Sequence, residues 1–175
     1  MNNILKIQWS FINEIDKNLF NSDHLKKYEM DFFMSELFES KIEFKNDKEL
    51  LFFGNIFNFV RGFEGALIYI HSGMVPNSIK GLGVWDVNGG YNLSIKKERE
   101  KYIITEINEN IEFYDNYYNL ISSIEKIKNE IKSNLFNDNS SFEENKFLNA
   151  FFQNHDKPKL PLKTPFDSNL NNVHS

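Results

Sequence analysis

The chain has 175 residues, a length that suits one domain with enough interior to fold without covalent staples. It contains no cysteine, which excludes a disulfide framework, a thiolate nucleophile, and zinc–cysteine or iron–sulfur centres. Lys and Arg total 20 against 25 Asp and Glu, for a net charge of −5, so the concentrated positive face that phosphate binding needs is not expected and nucleic acid is not read as a partner.

In chain order, residues 4–9 suit a strand leading into a helical stretch that ends near Phe20. Asn21-Ser22-Asp23 offers a helix cap. The apolar Leu25, Tyr28, Phe32, Leu37 and Phe38 then follow at three- and four-residue steps, so the spacing predicts a helix over 23–40. Lys41-Ile42-Glu43-Phe44-Lys45 alternates and predicts a short strand, punctuated by Asn46-Asp47.

From Asp47 onward, Leu51, Phe52, Ile56, Phe59, Val60, Phe63 and Leu67 follow helical spacing, which predicts a central amphipathic helix. A hairpin turning at Arg61-Gly62-Phe63-Glu64-Gly65 stays open as the alternative, because glycine is costly inside a helix. Residues 73–83 read as a loop. Strands are expected over 82–87, around Tyr91, Leu93 and Ile95, and around Tyr102 and Ile104, with a turn at Asn88-Gly89-Gly90. This makes a three-stranded antiparallel meander.

Residues 113–136 carry the plainest helical stripe, formed by Tyr117, Leu120, Ile121, Ile124, Ile127, Lys128 and Ile131. Ser141-Phe142-Glu143-Glu144 resembles a capping box for a last helix reaching about Phe152. The fold expected is α+β: a small antiparallel sheet, a meander, packed against several helices. It forms a single domain over 1–155, with an extended or disordered tail over 156–175 that holds three of the four prolines.

Composition adds two readings. Asn numbers 25, Ile 18 and Lys 18, while Arg numbers 2. The first three use AT-rich codons, so the excess reads as the coding bias of an AT-rich bacterial genome rather than as a structural signal. Near the start there is one lysine before Trp9 and no apolar core, so no secretory signal is expected. Residues 50–70 contain Asn55, Asn58, Arg61 and Glu64, too polar to span a bilayer unaided. A cytoplasmic protein with no membrane association is expected.

Catalytic and metal motifs are weak. The four histidines, His24, His71, His155 and His174, have no ligand spacing, so no metal site and no cofactor are expected. Gly81-Leu82-Gly83 lacks the third glycine of a dinucleotide loop. His71-Ser72 would point to opposite faces of a strand. Glu43-Phe44-Lys45 matches the end of a nuclease core, but its alternation already accounts for it as a strand. Cys is absent and His and Arg are scarce, types that dominate catalytic sites, so no enzyme is expected.

An acidic run, Glu106, Glu109, Glu112 and Asp115, lies beside Tyr114 and Tyr118. Trp85-Asp86 precedes the glycine turn and forms an aromatic and polar loop. Acids next to tyrosines suit contact with a basic protein surface, since Tyr is enriched at interfaces and carboxylates steer association. These eight residues are the candidate partner-binding set, with no catalytic or metal-binding residue among them.

The stretch Trp85-Asp86-Val87-Asn88-Gly89-Gly90-Tyr91, the charged hairpin after it and the Tyr-rich helix start together resemble small acidic bacterial immunity proteins. Such proteins accompany polymorphic or contact-dependent-inhibition toxins. The resemblance covers about half of the chain and is one of general profile, without a diagnostic motif. It implies a cytoplasmic protein that binds and neutralises a toxin domain, and a basic active site on that toxin would match the acidic surface. Two alternatives stand beside it: an enzyme with a carboxylate- or Tyr-based site, and a phage or mobile-element assembly component using the low-charge segment 51–90 as an oligomer face.

Overall fold

The computed structural model describes residues 4–75, 77–83, 92–136 and 140–153. Trp85, Asp86, the Asn88-Gly89-Gly90 turn and the tail 156–175 lie outside the described residues. The class is α+β as expected, with two antiparallel sheets in place of one.

The first sheet has the order β1-β2-β3, from β1 (Lys6–Phe11), β2 (Glu39–Lys45) and β3 (Glu49–Asn55). Alternation turns Ile42, Phe44, Leu50 and Phe52 inward and leaves Lys41, Lys45, Leu51 and Phe53 on the outer face. The β2–β3 hairpin closes at Asn46, whose side chain accepts the Lys48 N–H at 2.8 Å. This turn corrects the expected helix from Asp47. Residues 49–55 pair in register with β2, and the helix begins only afterwards.

That helix, α3 (Ile56–His71), packs against both sheets and buries Ile56, Phe57, Phe59, Val60, Phe63, Ala66, Leu67 and Ile70. Between the two readings of residues 50–70, helix holds from Ile56 onward, and the turn lies at 46–48 rather than at 61–65. Gly62 and Gly65 sit within the helix, where a Cβ would meet nothing within 4 Å.

The second sheet has the order β4-β5-β6-β7, from β4 (Ser78–Gly83), β5 (Asn92–Glu98), β6 (Lys101–Glu106) and β7 (Ile111–Asn116). It has one strand more than the expected meander, because the acidic run continues as β7. Consequently the long helix α4 (Tyr117–Leu135) starts four residues later than its stripe suggested. Asn116 ends the strand and caps the helix by accepting the Asn119 N–H at 3.0 Å.

The expected helix over 23–40 is broken into α1 (Ser22–Leu25), α2 (Met30–Phe33) and a 3-10 turn at Glu36–Phe38. The helical stretch before it is reduced to a 3-10 turn at Lys17–Phe20. The interruptions have a visible cause. Asn145 Nδ2 donates to the carbonyls of Leu25 and Tyr28, and Asn55 Nδ2 donates to those of Phe33 and Ser35. Non-local amides thus take up carbonyls that a continuous helix would pair internally. At the far end a 3-10 turn, Ser140–Glu144, precedes α5 (Lys146–Phe152), and Asn145 rather than Ser141 is its cap.

The core is built from phenylalanine. Phe33, Phe38 and Phe57 cluster under the broken segment, where Phe147 and Phe151 join them. Phe44, Phe52, Phe59 and Phe63 form a second group. Phe44 meets Phe113 edge to face at 5.6 Å, which joins the two sheets. Strand β7 also touches one end of the first sheet twice: Lys48 Nζ donates to the Glu112 carbonyl at 3.4 Å, and the Leu5 N–H donates to Asp115 Oδ2 at 2.9 Å.

Candidate partner-binding surface

The pleat of β7 sorts the acidic run. Phe113 and Asp115 turn inward, and Glu112 and Tyr114 turn outward. Asp115 is half-buried and accepts from the Leu5 N–H and from Asn119 Nδ2 at 2.7 Å, so it fastens the start of β1 to the start of α4. Glu106 is 3% exposed. Its carboxylate accepts from the Asn92 N–H at 3.2 Å, Asn108 Nδ2 at 3.1 Å and the Glu109 N–H at 2.6 Å. It organises the turn at 107–110, where Asn110 adopts φ 57°, and is closed to a partner. Glu106 is therefore corrected from a contact residue to an internal fastener, whereas Asp115 is half-buried and held by Leu5 and Asn119.

Of the outward members, Tyr114 and Glu112 are in direct contact. Tyr114 is 44% exposed and donates its hydroxyl proton to Glu112. That bond is the main reason its phenol titrates above the ordinary range. Tyr118, in the first turn of α4, is 75% exposed. Glu109 is exposed on the β6–β7 turn. Trp85 and Asp86 lie outside the described residues.

Behind Tyr118 stands a cluster that the sequence left scattered. The His71 ring, at the C-terminal end of α3, stacks on Tyr117 with centroids 3.7 Å apart and an interplanar angle of 12°. Tyr118 meets His71 and Tyr117 at steep angles, with centroids 6.3 and 5.5 Å away. His71 Nδ1 lies 3.1 Å from the Tyr102 hydroxyl. Burial pushes the Tyr102 phenol up to about 12, with smaller contributions from Tyr117 and Glu100. Tyr117 is also raised, chiefly by burial. The Tyr102 hydroxyl is thus a hydrogen-bonding partner that helps hold the His71 ring. The available signals were the alternation that turns Tyr102 inward and the position of His71 at the end of a helical stripe. Neither reveals that the two ends meet.

Among the described residues no group of three or more His, Asp or Glu could hold a metal. Among the described residues a shallow cleft of about 640 Å³ runs from Phe11 past Glu14 and Asp16 to Asn134 and Leu135, and a further one lies on the polar outer face of α4. Among the same residues no helix is long and apolar enough to cross a membrane. No family model matches the chain, and no curated protein or solved structure matches it significantly.

Proposed function

We propose that this protein is a cytoplasmic bacterial inhibitor of the immunity type, which binds and neutralises a cognate toxin domain and has no catalysis of its own. The observation that carries the reading is the outward set Tyr118, Tyr114 and Glu112. Two exposed tyrosines and a carboxylate sit on the adjoining ends of a strand and a helix, and Tyr118 is backed by the His71–Tyr117 stack. Rigid tyrosines lose little side-chain entropy on binding and supply much of the energy at interface centres. The neighbouring carboxylates and the net charge of −5 favour a basic partner.

The test is co-purification with the product of the adjacent gene, followed by titration of the two purified proteins. A stoichiometric complex that weakens on Tyr118→Ala supports the reading. Recovery of the protein without a protein partner, or a complex indifferent to both Tyr118→Ala and Tyr114→Ala, refutes it.

A further inference from the structure

Arg61 is one of two arginines in the chain and lies half-buried on α3. Lys128, a buried cation on α4, has Glu64 as its counter-ion. For Arg61, no carboxylate among the described residues comes within ion-pair distance. Its Nη1 donates to the Met30 sulfur at 3.3 Å, and its guanidinium carbon lies 5.7 Å from the centre of the Phe147 ring. A thioether is a weak acceptor and a ring face takes no forked bond, so the guanidinium fork meets no oxygen acceptor among the described residues. Partial burial without a counter-ion pushes the guanidinium down from its ordinary value. Around it, Met30 is 45% exposed and Phe147 is partly buried. Arg, Met and aromatic side chains are the types enriched at protein contacts.

We propose that Arg61 anchors a second protein contact: it binds a carboxylate of a partner protein, an Asp or Glu flanked by apolar side chains. The planar fork of the guanidinium matches the two oxygens of a carboxylate. Phe147 and Met30 already hold the side chain in place, so little of its freedom is lost on binding. The partner's carboxylate supplies the counter-ion that the half-buried charge lacks, and the apolar groups beside it cover Met30 and Phe147. Charge selects a single carboxylate over a phosphate dianion. In the chain, Lys146 adjoins Phe147, while Glu29 and Asp31 adjoin Met30, and all three are exposed. Together with Arg61 these charges sum to zero, so no excess of positive charge awaits a second negative one. Ten residues of α3, about 15 Å along the helix axis, separate Arg61 from His71 behind Tyr118. The contact is thus separate from the tyrosine surface, and the proposal stands independently of the inhibitor reading.

Proton–nitrogen NMR on the full chain tests it. Two arginines give two Nε–H signals, and Arg99, exposed on the β5–β6 turn, is an internal control. The Arg99→Gln variant assigns them. Three probes are titrated at mildly acidic pH, where a carboxylate is still ionised: the peptides acetyl-Leu-Glu-Leu-amide and acetyl-Leu-Gln-Leu-amide, and inorganic phosphate. The Glu peptide should shift the Arg61 signal saturably, with an affinity about tenfold or more above that at Arg99. The Gln peptide should leave the Arg61 signal in place. Equal responses at the two arginines, none included, overturn the proposal. So does an equal response to the Gln peptide, or phosphate binding more tightly than the Glu peptide.

Discussion

Asn55 and Asn145, distant in sequence, perform the same double task. Each caps a helix through Oδ1, accepting from Asn58 N–H and Leu148 N–H respectively at 3.0 Å. Each also donates through Nδ2 to two carbonyls of the broken segment: Phe33 and Ser35 for Asn55, Leu25 and Tyr28 for Asn145. Both side chains are almost fully buried. The segment is thereby stitched to α3 at one point and to α5 at another.

Replacing either residue by alanine removes a cap and strands two carbonyls. Asn55→Ala and Asn145→Ala should each cost about 2–4 kcal/mol, against about 1 kcal/mol for Asn116→Ala, whose exposed side chain only caps. Urea denaturation of the three variants checks the ordering. Equal losses in all three would refute the double role.

Gly62 and Gly65 occupy helical positions with open space around them. Gly62→Ala and Gly65→Ala should each stabilise by about 0.5–1 kcal/mol, through helix propensity and the reduced freedom of the unfolded chain. Thermal melting would show the rise. A loss would mean that the α3 surface needs glycine for contact with something beyond the described residues.

Lys128 reaches from α4 to Glu64 of α3 at 2.5 Å, with side-chain exposures of 7% and 14%. Its ammonium also lies 5.7 Å from the Phe151 ring centre. Lys128→Met should cost about 3–5 kcal/mol, because Glu64 keeps a buried charge without that counter-ion. Lys128→Met combined with Glu64→Leu should recover most of the loss. A double variant as weak as the single would refute this account.

The raised phenol of Tyr102 sets a pH window. Unfolded, the group ionises near 10; folded, near 12. Below 10 both states hold the proton and stability is unaffected by this residue. As pH rises from 10 to 12, only the unfolded chain ionises, so stability falls. Tyr102→Phe should remove part of that fall, read by denaturant titrations across the window. An unchanged slope would sink the assignment.

Glu106→Ala and Tyr118→Ala should separate support from contact. The first should lower stability by about 1–3 kcal/mol by freeing the 107–110 turn, since a buried carboxylate with three donors leaves them unsatisfied. The second should leave the melting curve unchanged and cost about 2 kcal/mol or more in partner affinity. The reverse pattern would contradict the assignment of Glu106 as a fastener.

The α+β class, strands β1 and β2, the body of α3 and the stripe of α4 were legible in the sequence. Local periodicity sets which face of each such element is apolar, and burial then follows. Asparagine shows the limit of that reading. Its excess looks like coding bias, yet Asn21, Asn55, Asn116 and Asn145 each begin an α-helix as the cap. Periodicity also could not locate the break between 23 and 40, because the amides that cause it come from residues 55 and 145. The acidic run was legible as a candidate surface but not as three different environments. Glu106 turns into the protein, Asp115 fastens β1 to α4, and Glu112 faces outward beside Tyr114. Which carboxylate meets an internal N–H and which meets solvent depends on strand pairing and on chain segments more than a hundred residues apart. No local pattern contains that information, and only the tertiary structure decides it.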